Sequence, residues 1–174
     1  MNNFLHIRDI SLRDLKKIIA DAKKRKAKRK RLNTLDLDKD VPLKGKILLQ
    51  MFEKSSLRTR LSFYLAIKQL GGGTLTLRSN ELHLGQGGES IADTAKILST
   101  YGDGFMLRTD NDKKVENFRK YLSIPVINGL SPSSHPTQVL SDVFTVEEIK
   151  KKPISKLTIC WIGDSNNVLN SLIV

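Results

Sequence analysis

The stretch Ser56-Leu57-Arg58-Thr59-Arg60 sets hydroxyl and guanidinium groups directly after an apolar run, Ile47-Leu48-Leu49-Gln50-Met51-Phe52. A strand, then such a turn, then a helix is suited to holding an anion. The first amides of a helix have no backbone acceptor and carry a positive partial charge. A phosphate placed beyond the helix start meets those N–H groups, the Ser56 and Thr59 hydroxyls and the planar fork of Arg58. Arg58 and Arg60, two positions apart on a helix, point to different sides and so serve different partners. Taken alone, the same stretch also fits a serine N-cap followed by a solvated charged turn. Two further polar clusters lie downstream, His135-Pro136-Thr137-Gln138 and Trp161-Ile162-Gly163-Asp164-Ser165-Asn166-Asn167. The three histidines are widely spaced and form no metal-ligating pattern.

These groups need elements to position them. Residues 11–31 read as an amphipathic helix with Ser11 as N-cap, and residues 33–44 as a polar connector containing Pro42. Residues 46–52 are apolar nearly throughout, as in a parallel strand covered on both faces. The next helix carries Phe63, Ala66, Ile67 and Leu70 on one face and stops at Gly71-Gly72-Gly73. A second strand is predicted at 74–77, a glycine-containing loop at 80–89, a helix at 90–101 and a third strand at 105–108. A helix at 115–122 and a fourth strand around Val126 and Ile127 follow. Pro136 then opens a helix bearing Val139, Leu140, Val143 and Phe144, which residues 150–153 end. Residues 157–162 read as another buried strand, with Cys160 as a small buried hydrophobe, and residues 163–167 as a second strand-to-helix turn.

This alternation predicts an α/β fold, a parallel sheet with helices on both faces and right-handed crossovers. Ligands in such sheets collect at the carboxyl ends of the strands. Residues 56–59 follow strand one, Arg108 ends strand three and His135 follows strand four, so separate motifs converge on one edge. Two units are expected: residues 1–150, including the joining helix 136–150, and residues 151–174 as the beginning of a second α/β domain whose remainder is missing.

Composition narrows the classes. A 39% hydrophobic and 28% charged content is that of a globular chain rather than a disordered or membrane one. One cysteine excludes an intrachain disulfide. No uninterrupted apolar stretch of signal-peptide type opens the sequence, so the expected location is cytoplasmic. The formal charge of +12 owes much to residues 23–31, eight of nine of which are Lys or Arg. That run contains no aromatic residue to stack on bases and continues a helical pattern. It therefore reads as a solvated helix end, and no nucleic-acid partner is expected.

Residues 52–60 (Phe-Glu-Lys-Ser-Ser-Leu-Arg-Thr-Arg), His135-Pro136-Thr137-Gln138 and the 161–167 motif, in that order and spacing, resemble the aspartate/ornithine carbamoyltransferase family. The resemblance runs from about Phe4 to the last residue and covers the family's amino-terminal, carbamoyl-phosphate-binding half. It implies transfer of the carbamoyl group from carbamoyl phosphate to L-ornithine, giving L-citrulline and phosphate, as in arginine biosynthesis. Ser56, Arg58 and Thr59 match the family's phosphate-binding turn. Leu57 stands where threonine is usual, which removes one hydroxyl but keeps the backbone amide. Arg108 matches the arginine that reaches the carbonyl region, His135 the donor to the carbonyl oxygen and Gln138 the glutamine that holds the carbamoyl amide. Arg108, His135 and Thr59 thereby form the implied catalytic set, an oxyanion hole requiring neither cofactor nor metal. Asn167 matches the asparagine that holds the amino acid's α-substituents, and His83 a loop residue that crosses to a neighbouring subunit of a homotrimer.

His83-Leu84-Gly85 and the 161–167 motif favour ornithine within the family, although Ser165 replaces a glycine common there. Residues 151–174 are accordingly expected to begin an amino-acid-binding domain, and this chain alone is expected not to turn over. Aspartate, putrescine or acetylornithine as the acceptor, and a non-catalytic anion-binding domain, stand as alternatives.

Overall fold

The computed structural model describes residues 3–78, 88 and 90–174. Four strands, β1 (Ile47–Phe52), β2 (Gly73–Arg78), β3 (Gly104–Arg108) and β4 (Val126–Leu130), pair in parallel in the order β2-β1-β3-β4. The α/β fold class read from the sequence is therefore the observed one. Helices α1 (Leu12–Lys28), α2 (Leu57–Gln69), α3 (Ile91–Tyr101), α4 (Asp112–Tyr121), α5 (Pro136–Lys150) and α6 (Asn167–Leu172) complete the regular structure. Among the described residues no helix is long and apolar enough to cross a membrane.

The strand order decides where a ligand can sit. The chain steps outward from β1 to β2, then returns across β1 to β3 and continues to β4. With right-handed crossovers, that reversal puts α2 on one face and α3 and α4 on the other. The connections leaving β1 and β3 therefore diverge, and a crevice opens between their carboxyl ends. Register keeps those ends level, since Phe52 of β1 stands opposite Arg108 of β3. Between β3 and β4 the register slips by one residue after Leu107, leaving Gly129 unopposed. A Cβ on Gly129 would collide with Met106 Sδ, so the close approach at this bulge needs glycine.

One face of the sheet carries the main core. Leu49 and Met51 of β1, Phe105 and Leu107 of β3 and Val126 of β4 meet Ala95 and Leu98 of α3 and Val115 and Phe118 of α4. Phe105 and Phe118 stack with ring centroids 4.9 Å apart. The outer edge of β4 is covered by Phe4, whose amide donates to Val126 O at 2.8 Å and whose carbonyl accepts from Asn128 N at 2.9 Å.

Residues 157–162 do not form the expected buried strand. Their backbone has no strand pairing, Ile162 is 93% exposed and Cys160 is exposed rather than buried. An apolar run becomes a buried parallel strand only where neighbours complete its hydrogen bonds and cover its faces, and among the described residues none flanks this one. The basic run 23–31 also differs from a simple solvated end. Lys23 and Lys26 pair with Glu147 and Glu148 of α5 at 2.6 and 2.7 Å. Arg25 bridges Asp38 and Asp40, and Arg29 reaches Asp38 at 2.6 Å, fastening α1 to the connector that leads into β1.

Burial pushes the Asp38 carboxyl up, but hydrogen bonds from Arg25 and Arg29 outweigh it and hold the group below its ordinary value. A depressed carboxylate contributes stability that is present above the unfolded-state pKa and lost as pH falls through the folded one. Asp38→Asn is expected to lower stability by about 3 kcal/mol at pH 7, because two guanidinium groups lose a buried partner. The gap between variant and parent should close as pH drops below about 4. Urea denaturation of both proteins across this range checks it, and a pH-independent gap would contradict the assignment.

Candidate functional site

The crevice at the carboxyl ends of β1 and β3 is a cleft of about 660 Å³. Ser56, Arg58 and Thr59 enter it from the start of α2, Arg108 from the end of β3, His135 and Gln138 from the start of α5, and Asn167 from the start of α6. Positions remote in sequence are thus brought to one place. Leu57 is the exception among the described candidates: its side chain is 66% exposed and lines a separate groove with Arg60 and Leu77. Only its backbone amide belongs to the helix start, and Arg58 and Arg60 do face different sides. His83 lies outside the described residues.

Ser56 occupies the N-cap of α2 in extended conformation, and its side chain makes no cap bond. Its hydroxyl and the first amides of this thirteen-residue helix are therefore uncommitted donors. Arg108 reaches across from β3, its Nη1 donating to Thr59 Oγ1 at 3.1 Å. Because the Thr59 oxygen accepts that bond, its own hydroxyl hydrogen remains for another acceptor. The Arg108 Nε–H is buried and has no partner among the described residues. Burial, and then the charge of nearby Arg58, lower the Arg108 pKa from its ordinary value. Two guanidinium groups lining one cleft, with a spare buried donor at the strand end, are complementary to an anion.

His135 is held by its backbone, whose N–H donates to the buried Ser171 Oγ of α6 at 2.9 Å. Ser171 Oγ in turn donates to Asn167 O at 2.8 Å, and Asn167 Nδ2 donates to Ser131 O at 2.9 Å. The start of α6 is thereby latched to the loop between β4 and α5. Burial lowers the His135 pKa, Arg108 lowers it further, and Asp142 opposes both. The ring is consequently neutral at pH 7, with one N–H to give. Its Nδ1 stands 3.4 Å from Thr137 Oγ1, a contact compatible with either neutral tautomer; with the proton on Nε2, the Thr137 hydroxyl is the donor.

Several contributors had no role in the sequence reading. Glu53, the residue after β1, accepts from Thr109 Oγ1 and from Lys114 Nζ, while its amide donates to Arg108 O at 3.0 Å. This half-hidden carboxylate ties the ends of β1 and β3 to α4 and so fixes the distance between Ser56 and Arg108. The signal in sequence was its place between the strand and the phosphate-type turn; its partners are more than fifty positions away. Asp142, one helical turn after Gln138, accepts from Gln138 Nε2 at 2.8 Å and is the sole carboxylate among the described residues lining the cleft. The i, i+4 spacing on α5 would have found it. Among the described residues no group of three or more His, Cys, Asp or Glu side chains is placed to hold a metal ion.

Residues 2–148 match the family described as aspartate/ornithine carbamoyltransferase, carbamoyl-P binding domain. A curated ornithine carbamoyltransferase from Brucella ovis is 42% identical over 173 residues, covering 99% of this chain and 53% of that protein. Among solved structures, ornithine carbamoyltransferase from Pyrococcus furiosus superposes with a TM-score of 0.90 at 40% identity, over 99% of this chain and 53% of that one. The catalytic subunit of M. jannaschii aspartate transcarbamoylase gives a TM-score of 0.71 at 30% identity, over 87% of this chain and 48% of that one. The chain thus spans about half the length of the curated relatives it matches.

A histidine kept neutral by burial and a neighbouring guanidinium titrates below the ordinary value of 6.5. Proton-detected NMR titration of the His135 ring is expected to give a midpoint below that value, and Arg108→Met should move it upward. Because unfolding restores the ordinary pKa, this group also favours the folded state above pH 6.5 and disfavours it on acidification. A midpoint at or above 6.5 in the parent protein would contradict the placement of His135 beside Arg108.

Proposed function

The chain belongs to the aspartate/ornithine carbamoyltransferase family, as its carbamoyl-phosphate-binding domain, and on that premise we propose that the cleft binds carbamoyl phosphate and presents its carbonyl carbon to an amino group of L-ornithine. The observation that carries this reading is the meeting, at the open start of α2, of Arg58 with a half-buried Arg108 whose buried Nε–H has no partner among the described residues. Carbamoyl phosphate is a small anion with one carbonyl, and the cleft offers a separate donor set for each part.

The phosphate sits at the helix start, held by the Ser56 hydroxyl, the amides of Leu57, Arg58 and Thr59, and the Arg58 fork. The carbonyl oxygen is met by Arg108, the Thr59 hydroxyl and the neutral His135 ring, and Gln138 meets the carbamoyl amide. As the amine attacks, a C–N bond forms and negative charge grows on the carbonyl oxygen. Prepositioned donors stabilise that charge, and loss of one typically raises the barrier by about 3 kcal/mol. The C=O bond then re-forms as the C–O bond to phosphate breaks, the electron pair leaves with phosphate, and the departing phosphate takes the proton that the amine gives up. No step requires His135 as a cation, in keeping with its lowered pKa.

Asn167 serves the amino acid in this reading, and release of its bond to Ser131 O accompanies ornithine binding. Residues 1–150 act as the carbamoyl-phosphate domain, and residues 151–174 begin the amino-acid domain. The assembly proposed is a homotrimer in which His83 acts across an interface. An exposed apolar stripe on α2, Leu57, Leu61 and Tyr64, supports burial against another copy. The lone cysteine fits a reducing cytoplasm. Aspartate as the acceptor is the second reading, favoured by the likeness to the M. jannaschii aspartate enzyme.

Arg58→Ala is expected to weaken carbamoyl phosphate binding about 100-fold, the loss of a charge-assisted two-pronged contact. Arg58→Lys should recover little, since a point charge cannot reproduce the fork. Calorimetric titration of carbamoyl phosphate into the three proteins decides this, and an unchanged dissociation constant in Arg58→Ala overturns the reading. In the full-length enzyme, citrulline formation compared with carbamoylation of aspartate separates the two acceptors.

A further inference from the structure

The amide of a glutamine has nearly the same shape at both ends, so its neighbours decide whether it shows a ligand an acceptor or a donor. At Gln138 the neighbour is Asp142, one turn later on α5, whose Oδ1 lies 2.8 Å from Gln138 Nε2. A carboxylate offers acceptors only, so the nitrogen end of Gln138 is committed to it and Oε1 is the end left for a ligand. The surroundings give that choice a consequence. Arg58, Arg108 and His135 all bring N–H donors to the cleft, and donors cannot satisfy an –NH2 group.

We propose that Asp142 is a positioning residue that holds Gln138 with its carbonyl oxygen toward the ligand, and so selects an acyl phosphate bearing –NH2 over one bearing –CH3. The inference rests on the carbamoyl-phosphate reading above and adds to it the origin of selectivity at the acyl end. Without Asp142 the Gln138 amide is free to turn, and its NH2 then meets the ligand's NH2 donor to donor. The Asp142 charge also repels any anion in the cleft, but it does so equally for carbamoyl and acetyl phosphate. The ratio of their affinities therefore cancels the charge and reports orientation alone.

The test is calorimetric titration of carbamoyl phosphate and of acetyl phosphate into the parent chain, Asp142→Ala, Asp142→Asn, Gln138→Leu and the double variant. The parent should prefer carbamoyl phosphate, and Asp142→Ala should lose about tenfold of that preference through the carbamoyl ligand. Asp142→Asn keeps an oxygen acceptor without the charge and should recover most of the preference. In the Gln138→Leu background, Asp142→Ala should change the ratio no further, because its effect passes through the glutamine. An unchanged ratio in Asp142→Ala overturns the inference, as does an undiminished loss in the Gln138→Leu background, which would mean that Asp142 touches the ligand itself. If the parent binds neither acyl phosphate, the carbamoyl-phosphate reading falls first, and the inference falls with it.

Discussion

Arg58 and Arg108 bring two guanidinium groups into one cleft at the point where the sheet reverses its winding, and the elements around that cleft hold them there. Arg58 lowers the pKa of Arg108 after burial has already done so, and the buried Arg108 Nε–H has no partner among the described residues. Like charges held this close are unfavourable unless something offsets them. The fold supplies rigidity in place of a countercharge: level strand ends, the Glu53 tie to Thr109 and Lys114, and the Arg108 bond to Thr59. An anion bound between the two guanidinium groups would offset their mutual repulsion.

The charges of the protein divide accordingly into two populations. Much of the basic run at the end of α1 is used for construction, with Lys23, Arg25, Lys26 and Arg29 each engaged by carboxylates of α5 or of the connector before β1. Arg58 and Arg108, by contrast, have no carboxylate partner among the described residues and line the cleft. His135 belongs with them as a neutral donor, because burial and Arg108 keep the proton off the ring. A cleft lined by two guanidinium groups and a neutral imidazole, with Asp142 as its one carboxylate among the described residues, is suited to an anion that also carries a hydrogen-bond acceptor.

Much of this was legible in residue order. A continuous apolar run followed by Ser56 and Arg58, and Pro136 after His135, are local signals, and the strands and helices they imply are those observed. The convergence of Arg108 with His135 followed from the rule that ligands gather at strand ends, without knowledge of distances. Residues 157–162 were misread because apolarity alone does not make a strand; pairing does, and pairing depends on neighbours that periodicity cannot show. The basic run is the exposed helix end that was expected, but the pairing of four of its cations was not legible because Glu147, Glu148 and Asp38 come near only once α1 packs on α5 and on the connector. Glu53 and Asp142 were passed over for related reasons. One has partners more than fifty residues away, and the other gains meaning only beside Gln138.

On the proposed reading, an acyl phosphate completes the hydrogen bonding of Arg58 and Arg108 together. The most direct measurement is 15N–1H NMR of the arginine Nε–H groups during addition of carbamoyl phosphate. Both resonances should shift and their exchange with water should slow, with one dissociation constant for the two, while the arginines at the end of α1 stay unchanged. Saturable binding that leaves Arg58 and Arg108 unperturbed, or that shifts Arg25 and Arg29 instead, would contradict the account.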